Sequence, residues 1–143
     1  MRRLLCLSLL ALAACVGPAR TFDVYEGKAV SAAEAVRSAA ETARVTAVAA
    51  STGKATGQYA SVALHEAEID AGGAQGAFES IQPPDRRSDR LREELGALLD
   101  ETIGVLGDLR IAARRTQTGI LASLAAELVE LARRLDEFAE AHR

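Results

Sequence analysis

The two residues best spaced for chemistry are a histidine and a carboxylate three positions apart. His65 and Glu68 lie in Leu64-His65-Glu66-Ala67-Glu68-Ile69-Asp70. On a helix that separation brings two side chains to one face, where they could share a metal ion. Carboxylate-bridged bundles use a Glu-x-x-His pair from each of two helices. Here the order is reversed and the second pair is missing, because Glu127, Glu130, Asp136, Glu137 and Glu140 have no histidine at that spacing and His142 sits at the chain end. Turning about 100° per residue, His65 falls roughly 140° from the apolar seam of its helix, so a solvated polar face is expected rather than a metal site. The serines have no histidine with an orienting acid near them, and no glycine-rich phosphate loop follows a strand pattern. Glu93-Glu94 and Asp100-Glu101 fall on exposed helical arcs. The sequence therefore predicts no enzyme activity and no cofactor, and it leaves Cys15 as the residue whose chemistry needs explaining.

Cys15 closes a short apolar segment. Arg2 and Arg3 form a basic start, and Leu4 to Ala14 is apolar or small except for Ser8. As a helix, about 11 residues span roughly 16 Å, about half of a hydrocarbon core near 30 Å thick. The segment reads as an export signal and not as a membrane span. Its end, Leu12-Ala13-Ala14-Cys15, resembles the lipobox of bacterial lipoprotein precursors, in which an aliphatic residue and two small residues precede a cysteine. The resemblance implies cleavage between Ala14 and Cys15, a diacylglyceryl group on the Cys15 sulfur, and a membrane as partner through that anchor. It covers about 15 of the 143 residues and says nothing of the others.

The alternative is an ordinary secretory signal with Ala11-Leu12-Ala13 as its small-x-small site, which leaves Cys15 as a free thiol. Cysteine usage favours the lipobox. Cys6 is removed with the signal, so Cys15 becomes the sole cysteine, with no disulfide partner in an exported chain. Two acyl chains also suffice for stable anchoring, at about 0.8 kcal/mol per buried methylene.

Without the signal about 129 residues remain, enough for one domain with a single core. Fifteen of the 17 basic side chains are left against 20 acidic ones, a formal charge of −5. That balance disfavours nucleic acid as a partner. The apolar content is mostly Ala, Leu and Val, with no Trp, two Tyr and three Phe. Ala and Leu favour helix, and small side chains let helices approach closely.

The elements follow from apolar spacing. Residues 15–28, with Gly17, Pro18 and Gly27, read as a lipidated N-terminus and flexible tether. A first helix is expected over Ala29 to Ala50, seamed by Ala29, Ala33, Val36, Ala40, Ala43 and Ala47. A second is expected over Lys54 to Ile81, ended by Pro83-Pro84, and a third from Asp85 or Ser88 to Arg114. A fourth runs from Thr118 to Ala141 on Leu121, Leu124, Leu128, Leu131, Leu135 and Phe138. Alternating three-four spacing in all of them, with short turns, predicts an all-α, up-down-up-down antiparallel four-helix bundle over residues 29–143.

Two features outlast the fold assignment. Gly72, Gly73 and Gly76 interrupt the second helix at about 1 kcal/mol each relative to alanine, so they either break it or permit a close approach. With Val62 and Ile69 they lie opposite the alanine seam and predict a face for an envelope protein partner or for self-association. The topology also gathers Arg86, Arg87, Arg90, Arg92, Arg133 and Arg134 toward the lipidated end. There they would face phospholipid head groups, although Asp85, Asp89, Asp136, Glu137 and Glu140 are interleaved. The functional expectation is a non-catalytic binding or scaffolding protein anchored at the cell envelope, with a small-ligand or metal-handling bundle as the alternative.

Overall fold

The structure, a computed structural model, describes residues 19–143. The signal segment, Ala14, Cys15 and the start of the tether lie outside the described residues. The rest is four helices: α1 Phe22–Ser51, α2 Gly57–Glu79, α3 Arg86–Arg114 and α4 Thr118–Ala141. They form an up-down-up-down bundle, with α1 packed on α2 and α4 and α3 packed on α2 and α4.

Local chemistry sets most of the helix ends. Thr21 Oγ1 accepts from the Val24 N–H, and Thr56 Oγ1 from the Tyr59 N–H at 3.2 Å. Asp85 accepts from both the N–H and the hydroxyl of Ser88, at 2.8 and 2.9 Å. These bonds stabilise its ionised form and hold its carboxyl below the usual range. Gly53, with φ of 73°, lets the chain leave α1 while the Lys54 N–H returns to the Ala49 carbonyl. The carbonyl of Glu79, the last residue of α2, is met from outside the helix by the Arg92 guanidinium, which also donates to the Ile81 carbonyl just beyond it.

Two boundaries differ from those expected. Helix α1 begins at Phe22 and not at Ala29, so the second half of the expected tether is helical. The N-cap Thr21 and the first-turn Asp23 outweigh Gly27, which faces open space. Helix α2 is shorter than expected, Gly57–Glu79 in place of Lys54 to Ile81, because Lys54 to Thr56 form the turn. It runs without a break through Gly72, Gly73 and Gly76.

The packing is rhombic. Helices α1 and α3 touch across the bundle, whereas α2 and α4 do not meet. The reason lies in α1, whose wholly buried positions include Ala29, Ala33, Ala40, Ala43 and Ala47. Methyl groups hold neighbouring axes apart less than isobutyl groups do. The bulk comes from the other side, through Leu95, Leu99, Leu106 and Leu109 on α3 and Leu128, Leu131 and Leu135 on α4.

One core contact is polar and unpaired. Tyr25 is wholly buried with its ring 5.3 Å from that of Phe78, and its hydroxyl has no hydrogen-bond partner. Burial pushes its phenol pKa up. An unpaired buried hydroxyl is unfavourable by about 1–3 kcal/mol. Tyr25→Phe is therefore expected to raise stability by about 1 kcal/mol in denaturant titrations. A loss of stability would mean that the hydroxyl is hydrogen-bonded in solution.

Candidate functional site

The start of α1, the α2–α3 turn and the end of α4 meet at one end of the bundle. The Arg87 guanidinium lies 3.5 Å from the centre of the Phe22 ring, a cation–π contact. His142 Nδ1 is 2.9 Å from Glu26 Oε1, and its ring lies 4.5 Å from that of Phe138. A cleft of about 350 Å³ opens between them, bordered by Phe22, Glu26, Arg87, Arg90, Leu91, Glu94, Ala141 and His142. Ala19 is buried. Cys15 precedes it by four residues, a covalent reach of at most about 14 Å, so the chain connects Cys15 to this end.

The structure divides the six expected arginines. Arg86, Arg87 and Arg90 are exposed at this end and form no ion pair among the described residues. Arg92 is half-buried and holds the end of α2. Arg133 lies between Glu130 and Glu137, which raise its pKa. Arg134 bonds Glu101 on α3 at 2.7 Å. Closeness to the chain end suggested that the last two reach the tether end, but they sit about two turns inside α4, roughly 10–12 Å along it, and carboxylates already hold them. Asp89 and Glu94 stand exposed beside the remaining three.

On α2, Val62 and Ile69 are 59% and 53% exposed. An alanine methyl at Gly72, Gly73 or Gly76 would meet nothing within 4 Å. Neither reason expected for these glycines, a helix break or a close approach within the chain, is present. Tyr59 extends the stripe, at 65% exposure. It went unnoticed in the sequence, although it continues the Val62/Ile69 spacing by one further turn. Gly73 and Gly76 complete the exposed face, and Gly72 is half-buried at its edge.

His65 is exposed, with Nδ1 3.9 Å from Glu68 Oε2. Glu68 is committed elsewhere, since Arg110 Nε on α3 donates to it at 2.5 Å. The bond raises the Arg110 pKa and ties α2 to α3. Among the described residues no group of three or more His, Cys, Asp or Glu side chains is placed to hold a metal. Of the paired carboxylates, Asp100 and Glu101 bridge helices, Asp100 accepting from Gln75 on α2 and Glu101 from Arg134 on α4, whereas Glu93 and Glu94 are exposed. No described helix is long and apolar enough to cross a membrane.

In comparisons with protein-family models, curated proteins and solved structures, the chain matches none.

Proposed function

We propose that the chain is an exported bacterial lipoprotein, held at the outer face of a membrane by a lipid on Cys15 and acting by binding or scaffolding, without catalysis of its own. The observation that carries this reading is Leu12-Ala13-Ala14-Cys15 behind a basic, apolar leader. Its position supports the reading as well. With α1 beginning at Phe22, only the six residues Val16 to Thr21 separate the cysteine from the first helix, so the bundle would stay within roughly 25 Å of the bilayer. The reading also gives the lone cysteine a role. The back of α2 is the surface we assign to an envelope partner or a second copy, because its exposed apolar residues and open glycines serve no packing within the chain.

The test is the intact mass of the protein extracted from membranes, beside a Cys15→Ala variant fractionated in parallel. The expected result is a mass for cleavage before Cys15 plus diacylglyceryl, with the variant lost from the membrane fraction. An unlipidated mass with cleavage elsewhere would make the chain a free secreted bundle and end this reading.

A further inference from the structure

The end of the bundle opposite the tether carries an unbalanced positive charge. It is formed by the α1–α2 turn and the α3–α4 turn, which pack together: a methyl on Gly57 would lie 3.3 Å from the Ala113 carbonyl and 3.8 Å from Thr116 Oγ1. Residues 42–65 and 109–126, which build this end, contain no aspartate or glutamate, whereas the average over the chain would place about six there. Arg44 and Arg110 reach back to Glu41 and Glu68. Lys54, Arg114 and Arg115 are exposed and form no ion pair, and every carboxylate of the sequence is among the described residues.

Helix physics alone gives the opposite distribution. The positive pole of a helix favours acidic residues in its first turn. Helices α1 and α3, which start at the tether end, have Asp23 and Asp89 there. Helices α2 and α4 start at the far end, and neither has an acidic first turn. Gln117, which precedes α4, makes no side-chain cap; the Thr118 N–H donates to the Thr116 carbonyl, and the N–H groups of Gly119 and Ile120 remain available as donors. The dipole of α3 accounts for a cation at Arg114 but not for the missing carboxylates on its neighbours.

We propose that this end binds phosphate-bearing anions. Two consecutive guanidinium groups supply forked donors matched to phosphate oxygens, Lys54 adds a point charge, and the open N–H groups of α4 suit the same ligand. The remaining surface there is uncharged, with Thr52, Tyr59 and Thr118 exposed. On a chain of net charge −3, this end differs from the tether end in having no carboxylate among its cations, whereas Asp89 and Glu94 stand beside Arg86, Arg87 and Arg90. The inference holds whether or not Cys15 is lipidated.

The test is fluorescence anisotropy of labelled linear polyphosphate with the full chain in neutral detergent at low salt. Binding is expected, and Arg114→Gln with Arg115→Gln should weaken it about tenfold or more. Lys54→Gln, in an exposed turn, should weaken it less. Arg86→Gln with Arg90→Gln removes the same charge at the tether end and should change binding by less than about twofold. Displacement by micelles containing phosphatidylglycerol, but not by inorganic phosphate, would assign the site to a lipid headgroup, and the reverse to a soluble phosphate. Absence of binding by the unaltered chain, or an equal loss from both arginine pairs, would overturn the proposal.

Discussion

Leu106→Ala is expected to lower stability by about 3–4 kcal/mol, and Ala40→Leu, which adds apolar surface, to lower it as well, by about 1–3 kcal/mol. Both positions are wholly buried. The first change leaves a cavity among the leucines of α3 and α4, where surrounding side chains relax only in part. The second forces an isobutyl group onto α1, the helix whose methyl groups allow α3 to touch it across the bundle. There is no space for it without moving a helix axis or forcing a strained rotamer. Guanidinium titrations of the two variants and the parent check the pair. A stabilised Ala40→Leu variant would show that α1 and α3 stand farther apart than described.

The triple replacement of Gly72, Gly73 and Gly76 by alanine is expected to stabilise the bundle by about 2–3 kcal/mol and raise Tm by roughly 8–12 °C. Each glycine lies inside a continuous helix, and each added methyl points into open space. The backbone entropy lost by glycine is therefore recovered with no steric opposition. Thermal melts of the parent and the triple variant measure it. No packing within the chain requires these three glycines. A variant that is more stable and yet loses an envelope partner would connect the glycines to docking.

The architecture was legible because each helix repeats apolar residues at three-four spacing over at least five turns, a signal that short turns do not blur. The end of α3 at Arg114 and both ends of α4 were read within a residue of where they lie. The start of α1 was not, since Gly17, Pro18 and Gly27 suggested loop while the actual signal was the cap, Thr21 followed by Asp23. The arginine cluster was half legible. Position along the chain placed Arg133 and Arg134 near an end, but the rise of the helix carries them inward, where Glu130, Glu137 and Glu101 were already within reach. The cationic far end could not be seen along the sequence at all. Residues 42–65 and 109–126 are each unremarkable apart, and only the pairing of the two turns joins them into one acid-free surface.

Because α2 and α4 never meet, α2 is held by α1 and α3 alone. Five buried residues, Ala60, Leu64, Ala67, Ala71 and Phe78, hold it down, and three of them are methyl groups with little surface to lose to water. With so little apolar surface buried, its amides are expected to open to solvent more often than those of its neighbours. The helix that carries the open glycines is thus also the one with the fewest buried residues.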